Sequence, residues 1–136
     1  MEKENMGSEK IDGYSLLKYL GGGYSGCVYL VSKGGKNYAL KVVNPKNAHD
    51  KTYTRDAIVK ESKIMQSLDH QNIVRWKDFR NDGIWTKSNG DTKEENVTYL
   101  VMELAEGGTL FDYVFSSGRF SEPLTRFFFK QFIDAL

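Results

Sequence analysis

Gly21, Gly23 and Gly26 stand at G-x-G-x-x-G spacing within Leu20-Gly21-Gly22-Gly23-Tyr24-Ser25-Gly26-Cys27-Val28. Lys41 follows at the end of Tyr38-Ala39-Leu40-Lys41, and Glu61 lies in a helical segment beyond it. Glycines lack Cβ, so backbone N–H groups in such a loop can approach phosphate oxygens closely, and the loop can open for ligand exchange. A strand lysine opposite the loop can reach the α- and β-phosphates of a nucleotide. A carboxylate on an apolar helix stripe carries a desolvation cost of several kcal/mol unless a cation answers it. A Lys41–Glu61 pair satisfies both groups, and moving the helix would break it. The chemistry these residue types suit is the positioning of a nucleoside triphosphate for phosphoryl transfer.

The glycines alone are weak evidence, because the dinucleotide fingerprint uses the same spacing with a strand entering the loop and a helix leaving it. Here the exit, Cys27-Val28-Tyr29-Leu30-Val31, is β-rich, and Lys41 stands where that fingerprint needs an acidic residue. A tight hairpin would explain one or two glycines, but not three at this spacing with Val28 placed to cover a base.

The elements that must position these residues follow from periodicity and turn chemistry. Residues 1–13 read as a disordered polar tail. Leu16, Leu17, Tyr19 and Leu20 give a strand running into the glycines, 27–31 a second and 38–43 a third, ended by Asn44-Pro45; short turns between them imply an antiparallel meander. Thr54 caps a helix running to about Leu68, whose stripe comprises Ala57, Ile58, Ile64, Met65 and Leu68 and carries Glu61. A fourth strand is expected over 73–79 and a fifth over 97–104. Between them, 80–96 make a long loop or an extended hairpin. Thr109 or Asp112 opens a short helix, and Ser121-Glu122-Pro123 starts another in which Leu124, Phe127, Phe128, Phe129, Phe132, Ile133 and Leu136 are too many for one face.

Composition narrows the partners. Nineteen basic against 18 acidic residues give no electrostatic reason to expect nucleic acid or an anionic membrane. The polar start offers no signal peptide and no stretch is long enough to span a bilayer, so a soluble intracellular protein, cytoplasmic or otherwise, is expected. One cysteine, Cys27, excludes an intrachain disulfide framework and cannot by itself make a zinc site. Asn96-Val97-Thr98 matches a glycosylation acceptor but lacks the secretory context it would need.

Together these motifs resemble the N-terminal lobe of a eukaryotic protein kinase. Leu20 to Val28 is similar to that family's glycine-rich loop, Tyr38-Ala39-Leu40-Lys41 to its V-A-I-K strand, and Glu61 to its central-helix glutamate. His70-Gln71-Asn72-Ile73-Val74 resembles H-P-N-I-V, and Val101-Met102-Glu103-Leu104-Ala105-Glu106-Gly107-Gly108 the hinge. Leu110-Phe111-Asp112-Tyr113 with Gly118-Arg119-Phe120-Ser121-Glu122 looks most like serine/threonine kinases of the calmodulin-dependent and AMP-activated branch.

The resemblance implies an α+β fold: a five-stranded antiparallel sheet with one helix (14–102), a hinge (103–108) and the first helices of an incomplete C-lobe (109–136). It implies that Gly21, Gly23, Tyr24, Ser25, Gly26 and Lys41 hold ATP phosphates and that Glu61 orients the lysine. Leu20, Val28 and Ala39 would enclose the adenine, Met102 would be the gatekeeper, and the backbone of Glu103 and Ala105 would bond the base edge. Met65 and Trp76 would belong to a hydrophobic spine. Two departures stand out: 80–96 is longer than usual, a docking surface or a mere insertion, and H-R-D-x-x-x-x-N, D-F-G and A-P-E are absent. The chain as written therefore has no catalytic base and no metal ligands, with Mg2+ expected only alongside the missing C-lobe. It is expected to be an inactive ATP-binding piece of a kinase acting on protein Ser/Thr, or else a non-catalytic module that engages a regulatory protein.

Overall fold

The computed structural model describes residues 8–23, 26–43, 51–89 and 91–136. Strands β1 (Lys10–Ile11), β2 (Tyr14–Gly23), β3 (Gly26–Lys33) and β4 (Lys36–Val43) are followed by helix α1 (Lys51–Gln66). Strands β5 (Trp76–Asn89) and β6 (Asp91–Glu103) come next, then helices α2 (Leu110–Ser117) and α3 (Glu122–Ala135). All pairings are antiparallel, and the sheet closes on itself in the order β1-β2-β3-β4-β6-β5. The five expected strands are present, and 80–96 takes the hairpin form rather than the loop, with Trp85 opposite Glu95 and Lys87 opposite Lys93.

Four boundaries differ from the sequence expectation. The expected tail, 1–13, contains a strand. Asp12 and Gly13, both at positive φ (46° and 83°), form a two-residue turn that brings Ile11 opposite Tyr14, and Ile11 is fully buried. Asp-Gly between apolar residues is a strong hairpin signal, because both central positions need positive φ. Helix α1 begins at Lys51, so Thr54 lies inside it rather than capping it. The helix stops at Gln66, where the amides of Ser67 and Leu68 turn back to the carbonyls of Ile64 and Met65 and tighten the last turn. The fourth strand starts at Trp76 rather than Ile73, because the Ile73 amide returns to the His70 carbonyl and the Asn72 amide donates to His70 Nδ1 at 3.0 Å, curling the chain before it extends. The expected strand end at Asn44-Pro45 lies outside the described residues. The two C-terminal helices start where their caps place them: Thr109 and Asp112 form a capping box, and Ser121 caps α3 with Pro123 in its first turn. Hydrogen bonds from the Thr109 hydroxyl, then from its backbone, hold the Asp112 carboxyl below its ordinary range.

Two cores result. The barrel interior holds Ile11, Tyr14, Leu16, Val31, Leu40, Val42, Trp85, Val97, Tyr99 and Val101. On the sheet's other face Val43, Ile58 and Leu100 are buried, with Met65, Trp76, Phe79 and Met102 packed around them. The stripe of α1 runs through Ile58, Ser62 and Met65. Ile64 and Leu68, expected on it, are exposed. Ser62 is buried because its Oγ accepts a 3.0 Å hydrogen bond from Trp76 Nε1. No residue of α2 or α3 is buried, and Phe127, Phe129 and Phe132 present their rings to solvent. Among the described residues no helix is long and apolar enough to cross a membrane.

The barrel end is clasped by tyrosines bonded to carboxylates. Tyr99 donates to Asp12 Oδ2 at 3.0 Å, Asp12 Oδ1 accepts from the Ile84 amide, and Tyr14 donates to Asp78 Oδ2 at 3.3 Å. Trp85 Nε1 donates to Glu9 across the closing strand pair at 2.8 Å. Burial first, then the neighbouring Asp78, pushes the Tyr14 phenol up from 10.0 to about 12; burial and the Asp12 bond raise Tyr99 as well. The folded chain thus keeps phenolic protons that the unfolded chain releases. Stability is full below pH 10 and declines as pH rises through about 12. Urea midpoints measured across the alkaline range should fall only beyond that lower limit, with a shallower decline in Tyr14→Phe. In the same assay Ile58→Ala should cost roughly 2–5 kcal/mol, whereas Phe129→Ala should stay within about 0.5 kcal/mol.

Candidate functional site: the lysine face of the sheet

Side chains alternate across a strand, and directly opposite residues share a face. Along β4, Leu40 and Val42 enter the barrel, so Ala39, Lys41 and Val43 lie on the opposite face beside α1. The register extends that face: Gly21 is opposite Val28, Val28 opposite Lys41, Lys41 opposite Leu100, and Ala39 opposite Met102. The glycine strands, Val28, Ala39, Lys41 and Met102 thus come together from four strands on one surface. Ala39 is nearly buried and Met102 half-buried against the second core.

Helix α1 completes the surface. Its contacts with β4, β5 and β6 are anchored by Ile58 and by the Ser62–Trp76 hydrogen bond, which places Glu61 at the stripe's margin. Lys41 Nζ donates to Glu61 Oε2 at 2.6 Å; the lysine side chain is 15% exposed and the glutamate 37%. With the carboxylate that far open to water, the large desolvation cost expected from its stripe position is not incurred. An ion pair this exposed contributes no more than about 1 kcal/mol to folding. Its consequence is positional: it holds a cation on the same face as the glycine loop.

The glycines are placed unequally. Nothing lies within 4 Å of where a Cβ on Gly21 would stand, leaving open space over its backbone. Gly26 has φ 131°, and a Cβ there would meet the Val42 carbonyl oxygen at 2.5 Å, so both conformation and close strand approach require glycine. Gly23 ends β2; Tyr24 and Ser25 lie outside the described residues. Leu20 is 45% exposed at the rim.

The hinge residues sit apart from this row. The Glu103 amide donates to the Arg75 carbonyl at 2.8 Å while the Glu103 carboxylate accepts from the Arg75 amide at 3.0 Å. Ala105 is exposed and, with Glu103 and Leu104, lines a cavity of about 400 Å3 toward residues 71–74 and α3; Val28, Ala39 and Lys41 are not in its lining. Asn72 Nδ2 donates to the Gln131 carbonyl at 3.0 Å and ties α3 to the turn after α1. Sequence reasoning missed three supports: the Arg75 clamp on the hinge, the Ser62–Trp76 bond and the Asp12–Tyr99 clasp. The first runs through Arg75's main chain, so its only residue-type trace is the Glu103 carboxylate, which does not say which amide it meets. The second was available as a serine on the apolar stripe, and the third as the Asp-Gly turn.

An antiparallel sheet curled over one helix, with a strand lysine paired to that helix's glutamate and a link into further helices, defines a kinase-type N-lobe. The model of the protein kinase domain matches residues 14–136, and the chain belongs to that family. It is 32% identical over 137 residues to the probable serine/threonine-protein kinase MARK-B of Dictyostelium discoideum, covering 99% of this chain and 17% of that protein. It is 34% identical over 127 residues to the serine/threonine-protein kinase SAPK9 of Oryza sativa subsp. japonica, covering 92% and 30%. The crystal structure of Rad53 1-466 in complex with AMP-PNP superposes with a TM-score of 0.65 at 25% identity, covering 90% of this chain and 29% of that one. The chain thus spans less than a third of each of these proteins.

ATP is the ligand the family implies, and the open space over Gly21 beside a lysine anchored at 2.6 Å suits its phosphates. Among the described residues no group of three or more His, Cys, Asp or Glu gathers, so they offer no cage for a divalent metal. Gly26→Ala should destabilise the chain by roughly 1–3 kcal/mol through backbone strain. A thermal melt compared with Gly21→Ala, where the added methyl meets open space, checks this.

Proposed function

We propose that this chain is the ATP-binding portion of a serine/threonine protein kinase, a family that transfers the ATP γ-phosphate to Ser or Thr hydroxyls of protein substrates. The observation that carries this reading is the Lys41–Glu61 pair at 2.6 Å on the face shared by Val28, Ala39 and Met102. In this reading the backbone of Gly21, Gly23 and Gly26, with Tyr24 and Ser25, covers the phosphates. Lys41 binds the α- and β-phosphate oxygens, and Glu61 keeps its ammonium aimed there. Leu20, Val28 and Ala39 enclose the adenine, while Met102 limits the depth of the pocket. The carbonyl of Glu103 and the backbone of Ala105 take the base edge.

These residues contribute positioning, which accounts for much of phosphoryl-transfer catalysis but activates no nucleophile. The 136 residues contain no H-R-D or D-F-G motif, so the reading assigns them nucleotide binding and no base. Titration with AMP-PNP should give saturable binding, weakened at least about tenfold by Lys41→Met through loss of a charge-assisted contact. Glu61→Gln should fall between, since the lysine remains but loses its orienting partner. Incubation with labelled ATP, magnesium and generic Ser/Thr peptides should yield background incorporation only. Unchanged affinity in Lys41→Met would refute the site; turnover surviving removal of host kinases would refute the assignment of roles.

A further inference from the structure

A second concave surface, whose lining does not include Lys41, lies at the barrel end. Tyr38 precedes Ala39 on β4 and so faces the barrel end, where its ring meets that of Tyr14 edge-on at 6.2 Å. Around this pair a cavity of about 470 Å3 is lined by Lys33, Lys36 and Lys77 together with Tyr14, Tyr38 and Asp78. Lys33 Nζ lies 4.3 Å from the centre of the Tyr14 ring and donates to the Asp12 carbonyl at 3.1 Å, a fixed post that leaves donors to spare. Lys77 Nζ lies 5.8 Å from the centre of the Tyr38 ring. Lys36 is exposed and stands directly opposite Lys33 across the Gly34-Gly35 turn.

Like charges directly opposite on adjacent strands are destabilising, and Lys33 and Lys36 stand in that relation. Among the described residues no carboxylate lies within ion-pairing distance of Lys33, Lys36 or Lys77. Asp78, the one carboxylate in the lining, accepts from the Phe79 amide at 2.8 Å and from the Tyr14 hydroxyl and makes no ion pair with the lysines. Three ammonium groups against the one carboxylate of Asp78 leave the lining of this concavity net positive, which favours a multiply charged anion, and lysines bind phosphate as point charges.

The concavity does not end there. A second one of about 400 Å3 shares Tyr38 and Lys77 with it and runs past Arg75 and Trp76 to Glu103 and Glu106 at the hinge. A groove with a cationic end and an acidic end fits an extended polypeptide better than a compact ion. The near-neutral chain and those hinge glutamates disfavour a nucleic-acid backbone. We propose that this groove binds a phosphorylated segment of a partner protein, with the phosphoryl group among Lys33, Lys36 and Lys77 and the segment running toward the hinge.

The test is fluorescence anisotropy of the 136-residue chain with a short fluorescein-labelled Asp/Gly peptide carrying one phosphoserine. Saturable binding is expected, at least about tenfold tighter than for the same peptide with serine, because charge-assisted contacts would be lost. Lys36→Glu and Lys77→Glu should each weaken binding about tenfold or more without lowering thermal stability, and saturating AMP-PNP should not displace the peptide. Should either reversal disturb the fold, Lys36→Gln and Lys77→Gln supply the same comparison. Equal affinity for the two peptides, or indifference to all four substitutions, would overturn the proposal. So would competition by inorganic phosphate at the peptide's own concentration, which would mark a simple ion site, and so would displacement by AMP-PNP, which would place the peptide over the nucleotide site rather than in this groove. A short RNA oligonucleotide binding more tightly than the phosphopeptide would overturn it as well. Because the readout does not depend on nucleotide, failure of the ATP reading would leave this result intact.

Discussion

The alternation of side chains along β4 is the constraint on which the rest of the structure depends. One strand serves two cores: Leu40 and Val42 fill the barrel, while Ala39, Lys41 and Val43 face α1. A one-residue slip would carry Lys41 into an apolar interior and push Leu40 into water, a double penalty of several kcal/mol. The same packing that stabilises the barrel therefore fixes where the ammonium emerges. Nothing about the lysine itself has to contribute much to stability.

Around that strand the chain places small, specific links rather than large interfaces. The Ser62–Trp76 hydrogen bond joins α1 to β5, and the reciprocal Arg75–Glu103 bonds join the start of β5 to the end of β6. Helix position, strand register and hinge entry are thus tied together. Glu61 reaches Lys41 because the helix is held by residues one position along, Ser62, and three positions back, Ile58. The pair is open to water on the glutamate side, so a shift of α1 would separate it at little cost, and the orientation of Lys41 is set by helix position more than by the strength of the pair itself.

The barrel's closure has a different origin. Tyr14 and Tyr99 bury large rings but keep their hydroxyls bonded to Asp78 and Asp12, which lets aromatic residues fill the barrel end without orphaned polar atoms. The two-residue strand β1 could not stand alone. It is held by the Asp12-Gly13 turn on one side and by the lengthened β5 on the other, where Trp85 bonds Glu9. The longer hairpin and the N-terminal strand are therefore one structural feature, each supplying the other's missing edge.

By itself the sequence determined the element types and the identity of the paired charges. Glycine spacing, the strand period around Tyr38 to Val43, the Thr109 and Ser121 caps and a carboxylate on a helix stripe are local patterns that need no partner to be read. The hairpin option for 80–96 and the Lys41–Glu61 pairing followed from them, and the α+β class from the kinase resemblance they carry. Tertiary structure decided what depends on distant neighbours. Ile11 proved to be core because β5 extends far enough to pair with it, Ile64 proved exposed because Ser62, bonded to Trp76, took the buried side of α1, and Leu68 proved exposed beyond the helix end at Gln66. The Arg75 clamp on Glu103 depends on the fold as well: Arg75 contributes only its main chain, which every residue type carries alike, and the Glu103 carboxylate that meets it gives no sign in the sequence of which amide it will bond.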